Sequence, residues 1–136
     1  MVLHRAVVIA PGYARVYFQN GQAAPATNEF EPYCRLELRQ VLPIPQTIHP
    51  DEFVITKVAY DTTHVAAVFG LKLAHGGGGG VSDIIKVWRM RLHSEQQPDV
   101  LHLVCGGAVN APSRARTPSV TQIRAALGSY ASLRLP

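Results

Sequence analysis

The sequence contains few charged residues, and this bears on its class of fold. Charged residues make up 16% of the 136 residues, compared with about 25% in typical soluble domains. Ten prolines and eleven glycines interrupt the chain at short intervals, which favours a loop-rich β domain over a helical bundle. The length fits one domain, so we expect residues 1–136 to form a single β-rich domain with its own core.

Long hydrophobic runs are missing as well. No stretch approaches the ~20 apolar residues that a membrane-spanning helix needs. The apolar run at residues 6–10 stops at Pro11-Gly12 and is too short for the hydrophobic region of a signal peptide. If the protein is exported, we therefore expect that a targeting segment was removed from the chain. Peripheral membrane association would then require a lipidated leader.

Several functional motifs are absent. The net charge is only +4 and no long basic run occurs, so nucleic-acid binding is not favoured. Gly-x-Ser-x-Gly is missing, and none of the six histidines stands in a His-x-His or His-x-x-x-His pair. The five glycines at residues 76–80 lack the Lys-Ser/Thr pair of a phosphate-binding loop and favour a hairpin loop. We expect no metal, no cofactor and no catalytic residue.

The sequence does contain short segments in which apolar and polar residues alternate, as in strands with one buried face. The segments predicted to be strands are residues 3–9, 13–19, 33–41, 53–60, 65–73, 84–92 and 100–105. Asn20-Gly21 is a strong signal for a tight turn. We expect loops at residues 22–29 and 42–50 and a turn at 94–99. This pattern predicts a mainly β fold, a compact antiparallel sandwich or a partly open barrel.

The C-terminal part has a helical pattern instead. Three apolar residues recur at helical spacing, namely Val120, Ile123 and Leu127. Thr117 is a suitable N-cap before Pro118, and Gly128 is a suitable stop. We predict one α-helix over residues 118–127 that packs on the sheet. Two later residues are expected to form a short closing strand, namely Leu133 and Leu135.

Only two cysteines are present, and both lie in predicted strands. Each shares a face with two leucines: Cys34 with Leu36 and Leu38, and Cys105 with Leu101 and Leu103. Both sulfurs therefore point toward an apolar interior, where the two strands can meet. A disulfide would favour an oxidising compartment. Two buried free thiols in a cytosolic protein are the alternative.

Four arginines form a candidate site for an anionic partner. They leave the polar faces of two predicted strands and are Arg35, Arg39, Arg89 and Arg91. If the strands are neighbours, these side chains form a cationic patch suited to an acidic protein or another polyanion. The alternative is a solvated face on which cross-strand partners such as Glu37 neutralise the arginines.

Two blocks of the sequence, together with the predicted helix, resemble a known family. The blocks are residues 14–21 (ARVYFQNG) followed by 33–38 (YCRLEL), and residues 100–105 (VLHLVC). They resemble a family of small, uncharacterised proteobacterial envelope proteins, often with lipoprotein-type leaders. The resemblance spans much of the chain. It implies export, a disulfide between Cys34 and Cys105 and a β-rich fold, and it carries no activity.

Three functional hypotheses follow. The first is a non-catalytic bacterial envelope protein, located in the periplasm, that binds another protein or a cell-wall component. The second is an enzyme whose site is assembled from His64, His102 and nearby carboxylates. The third is a cytosolic basic adaptor, such as a phage or mobile-element product, with two free thiols. Exposed edge strands would also allow a homodimer.

Overall fold

The structure is a computed structural model that describes residues 1–64 and 83–134. In these residues, eleven strands and one helix are present. In chain order they are β1 (Val2–Leu3), β2 (Val7–Ile9), β3 (Arg15–Gln19), β4 (Gln22–Ala24), β5 (Tyr33–Leu38), β6 (Gln46–Ile48), β7 (Asp51–Glu52), β8 (Val54–His64), β9 (Ile84–His93), β10 (Val100–Gly106), α1 (Val120–Leu127) and β11 (Ala131–Ser132). The predicted mainly β fold with one C-terminal helix is confirmed.

Antiparallel pairing arranges the strands in three sheets. The central sheet has six strands in the order β4-β3-β5-β10-β9-β8. Two smaller sheets have the orders β11-β1-β7 and β2-β6. Among the described strands β4 and β8 remain at opposite edges of the central sheet, so these strands do not close into a barrel.

The two faces of the central sheet have different surroundings. We call the face that packs against α1 and the small sheets the core face, and the opposite one the outer face. Side chains from all these layers meet in one buried cluster, which includes Leu3, Phe18, Leu36, Ile48, Leu103, Ile123 and Leu127. In β9, Met90 and Leu92 lie on the core face, while Arg89 and Arg91 lie on the outer face, as the alternation predicts.

The helix ends against the tight turn between β3 and β4. Asn20 and Gly21 have positive φ angles of 53° and 77°, which suit the predicted two-residue turn. The Gly21 amide donates a hydrogen bond to the Ala126 carbonyl at 3.1 Å. Gly128 has a φ of 54°, and a Cβ at this position would lie 2.6 Å from Gly21 Cα. Glycine at both positions therefore lets the backbones approach closely.

The helix begins later than the sequence indicates. Ser119, and not Thr117, is the N-cap, because its hydroxyl accepts a hydrogen bond from the Gln122 amide while the Gln122 side chain accepts one from the Ser119 amide. This reciprocal capping box outweighs the Thr-Pro signal. Of the predicted stripe, Ile123 and Leu127 are buried, whereas Val120 is 38% exposed. No helix in the described residues is long and apolar enough to cross a membrane.

Several short strands differ from their predicted bounds. The predicted strand at residues 3–9 is two strands in different sheets, and the predicted loops at 22–29 and 42–50 contain β4 and β6. The closing strand was predicted at Leu133 and Leu135, but β11 ends at Ser132, just before Leu133. Strands of two or three residues are too short to show alternation. The predicted strand at 65–73, the glycine loop at 76–80 and Leu135 lie outside the described residues.

One correction concerns the side-chain pattern of β10. Leu101 does not share the buried face with Cys105, because the register shifts between Val100 and His102 and leaves Leu101 as the extra residue of a β-bulge. Val100, paired with Leu38, is buried instead.

A disulfide joins the two central strands. Cys34 in β5 lies directly opposite Cys105 in β10, with a Cα–Cα distance of 4.0 Å, and the two residues are bonded. Both are at most 1% exposed and belong to the main core cluster. The sequence allowed either a disulfide or two buried free thiols, and the structure contains the disulfide. Such bonds are typical of oxidising, extracytoplasmic compartments.

Reduction of this disulfide is expected to lower the free energy of unfolding by about 4 kcal/mol, because it opens a long covalent loop in the unfolded chain. The two cysteines are 71 residues apart. Urea unfolding with and without reductant measures the difference. In the Cys34→Ala/Cys105→Ala variant, reductant should change nothing. Free alkylation of both thiols without reductant would contradict the bond itself.

Candidate functional site

A row of charged residues crosses the outer face of the central sheet. The successive cross-strand partners, one from each of five adjacent strands, are Arg15, Glu37, His102, Arg91 and Lys57. Because paired residues of antiparallel strands point to the same side, these side chains share one face. Glu37 is the one carboxylate in the row.

The neighbouring row supplies two more arginines to Glu37. Arg35 Nε donates a hydrogen bond to Glu37 Oε2 at 2.8 Å, and Arg89 donates one to Oε1 at 3.3 Å. Arg15 Nε lies 3.4 Å from Oε2, and His102 Nδ1 lies 3.4 Å from Oε1. These five residues are the Glu37 cluster. One carboxylate therefore joins side chains from β3, β5, β10 and β9.

Burial and charge act against each other in this cluster. Burial raises the pKa of Glu37, but the hydrogen bond and charge of Arg35, with the charges of Arg15 and Arg89, hold that pKa below its ordinary value. Burial lowers the pKa of His102, and Glu37 offsets this only in part. At neutral pH the cluster therefore contains an ionised carboxylate, three guanidinium groups and a neutral imidazole.

The structure brings together only part of the predicted arginine patch. Arg35 and Arg89 meet through Glu37, although β10 separates their strands. Arg91 lies in the adjacent row. Arg39 lies beyond the end of β5 and pairs with Asp99 at 3.2 Å. Anion binding at the four arginines remains a prediction.

Sequence reasoning missed Arg15, Lys57 and His102 as neighbours of these arginines. All three residues lie in segments that the sequence correctly predicts to be strands. Their proximity depends on strand order and register, which a single sequence does not encode in any local pattern.

The two histidines of the enzyme hypothesis lie far apart. His102 pairs with Arg91 and His64 with Ile84, seven residues apart on β9. This separation corresponds to about 24 Å along the strand, and the two residues lie on opposite faces. One site therefore does not contain both histidines. Within the described ranges, no group of three or more His, Cys, Asp or Glu side chains is arranged to hold a metal ion.

An apolar groove of about 740 Å³ lies on the other side of the sheet. It runs between β8 and β9, the helix α1, and the sheet formed by β1, β7 and β11. Its apolar lining includes Phe53, Ile55, Val58, Trp88, Met90, Val120, Ile123 and Leu133. At its rim, Glu52 and Arg134 form an exposed ion pair at 3.6 Å. The volume lies within the range of small-molecule and side-chain binding sites.

The wall of the groove formed by β8 is open to solvent. Val58 and Tyr60, which point to the core face as partners of Met90 and Trp88, are 56% and 53% exposed. The Tyr60 ring packs edge-on against Trp88 at a centroid distance of 6.2 Å. Large apolar side chains in contiguous exposed positions are typical of interaction sites.

The same strand is an edge of the central sheet. β8 has eleven residues and pairs with β9 on one side, and no described strand pairs with its other side. An edge strand of this length offers a row of backbone donors and acceptors to an incoming strand. Comparison of the chain with family models, curated proteins and solved structures finds no match.

The Glu37→Gln substitution is expected to lower the free energy of unfolding by about 2–3 kcal/mol at pH 7, since it leaves the partly buried Arg35 guanidinium without its counter-charge. The stabilisation by Glu37 is complete above its ordinary pKa of 4.5 and is lost as the pH falls through the lower folded-state pKa. Urea unfolding at several pH values measures both effects.

Asp99→Asn is the matched control for this experiment. It neutralises the exposed partner of Arg39, and an exposed ion pair contributes at most about 1 kcal/mol. Equal losses in the two variants, or an unchanged acid dependence in Glu37→Gln, would contradict the stabilising role of the cluster.

Proposed function

We propose that this chain is a non-catalytic binding protein of the bacterial cell envelope that binds an extended, apolar segment of another protein. The segment adds to the edge of β8 that no described strand pairs with, and it inserts alternate side chains into the apolar groove. The observation that carries this proposal is the long edge strand whose exposed Val58 lines that groove beside Trp88.

Strand addition uses both features of this surface. The β8 backbone supplies hydrogen bonds that are independent of sequence, while pockets for every second side chain supply specificity. In the added strand, one set of alternate residues would lie on the core face, level with Val58 and Tyr60. The apolar lining there favours a protein segment over a polar cell-wall polymer.

The proposed compartment rests on the disulfide and on the family resemblance. A buried Cys34–Cys105 bond supports an oxidising environment, and the blocks around both cysteines resemble envelope proteins. The disulfide is inconsistent with a cytosolic adaptor that keeps two free thiols. The separation of His64 and His102 removes the main support for the enzyme hypothesis.

A short synthetic peptide of alternating valine and threonine is expected to bind this surface. Trp88 is the single tryptophan and lines the groove, so its fluorescence emission should shift to shorter wavelength as the groove loses water. Fluorescence titration gives the affinity. Val58→Lys should weaken binding at least about tenfold, because it places a charge in the apolar wall.

Three controls make this test specific. Val8→Lys changes a valine of similar exposure, 63%, on β2, and should leave binding unchanged. A peptide with the same composition but clustered valines should bind weakly. A peptide N-methylated at alternate residues, so that it cannot pair with the β8 edge, should also lose binding.

Two outcomes would contradict the proposal. Equal binding of the alternating, clustered and methylated peptides would indicate non-specific adsorption to an apolar patch. Dimers in sedimentation velocity that Val58→Lys converts to monomers would instead assign the surface to a second copy of this chain.

A further inference from the structure

A polar cavity of about 400 Å³ lies on the outer face, opposite the groove. Its floor is formed by β3 and β5, and residues 25–29 form one wall. The polar and aromatic side chains that matter for its chemistry are Arg15, Tyr17, Thr27, Glu29, Tyr33 and Arg35. The cavity therefore contains both cationic and anionic groups, together with two aromatic rings.

Glu29 has an incomplete set of hydrogen bonds. Its Oε2 atom is shielded from solvent, and no described residue forms a hydrogen bond with it. A shielded carboxylate oxygen without a donor is energetically costly. A cationic donor that enters the cavity beside Glu29 would remove this cost once the carboxylate turns Oε2 toward the cavity.

The guanidinium groups belong to the strands beneath the cavity. Arg35 donates a hydrogen bond to Glu37 from Nε, at 2.8 Å. Its two terminal nitrogens take no part in that bond. Arg15 is half-exposed, with its side chain 53% accessible. Guanidinium groups bind carboxylates through paired hydrogen bonds. The arginines and Glu29 thus present opposite charges within one small cavity.

Hydrogen bonds hold the wall of the cavity in place without a ligand. The Gln19 side chain donates to the Asn28 carbonyl at 2.9 Å and to the Glu31 carbonyl at 3.2 Å. The Val109 amide donates to the Glu29 carbonyl at 2.8 Å. The cavity is therefore largely pre-formed, which reduces the entropic cost of binding.

We propose that this cavity binds a small zwitterion that carries one amino and one carboxylate group, of the α-amino acid class. The ligand carboxylate pairs with Arg15 and Arg35. The ligand ammonium group pairs with Glu29 and lies near the rings of Tyr17 and Tyr33, whose centroids are 6.0 Å apart and whose faces attract cations. This site is independent of the groove, because it lies on the opposite face of the sheet.

Calorimetric titration of the intact, oxidised protein with each free amino acid, and with dipeptides, tests this proposal. At least one zwitterion should bind, and the two sets of compounds distinguish a free amino acid from a short peptide. The N-acetylated form and the amide of the best ligand should each bind at least about tenfold more weakly, because each lacks one of the two charges.

Variants assign the binding to this cavity. Glu29→Gln and Arg15→Gln should each weaken binding at least about tenfold. Glu95→Gln and Arg114→Gln make the same changes at exposed positions outside the cavity and should have no effect. Thermal unfolding verifies that each variant is folded, and Glu29→Gln conserves the side-chain shape. If no zwitterion binds, or if the blocked forms or the Glu29→Gln variant bind equally well, the proposal is wrong.

Discussion

The pairing of β5 with β10, fixed covalently by Cys34 and Cys105, determines the register on which both surfaces depend. Side chains in a strand alternate with a period of two, so a slip of one residue would move every side chain to the opposite face. Glu37 would then enter the core, and Leu36 would face solvent. A bond between directly opposed residues excludes such a slip at the centre of the sheet.

The Glu37 cluster is a second consequence of this register. Its five residues come from four strands, two from β5 and one each from β3, β9 and β10, and only correct pairing brings them together. Removal of charges from water is costly, and one carboxylate shared among three arginines leaves an excess of positive charge. That excess faces the same side as the polar cavity, to which Arg15 and Arg35 also belong. Arg15 and Arg35 therefore have two roles: they stabilise the sheet through Glu37, and they contribute positive charge to the cavity.

Features with a local cause were predictable from the sequence, and features that depend on distant contacts were not. The alternation in β9 and the Asn20-Gly21 turn reflect local geometry, and both were predicted correctly. The bulge at Leu101 was not, since it depends on how β10 aligns with β5. The helix start was misplaced because two capping signals compete within three residues, and the reciprocal bonds of Ser119 are stronger. The groove has no sequence signal, because its walls come from separate parts of the chain.

Within the described residues, the single helix covers only part of the core face. Eight helical residues span about 12 Å, whereas six strands extend over about 24 Å from edge to edge. The helix packs mainly on β3 and β5, and near β8 it forms one wall of the groove. The core face of β8 and β9 nevertheless carries Val58, Tyr60 and Trp88, side chains suited to burial. Within the described residues, the helix and the small sheets therefore leave these apolar side chains of β8 partly exposed, and this is the surface to which the proposed strand addition is assigned.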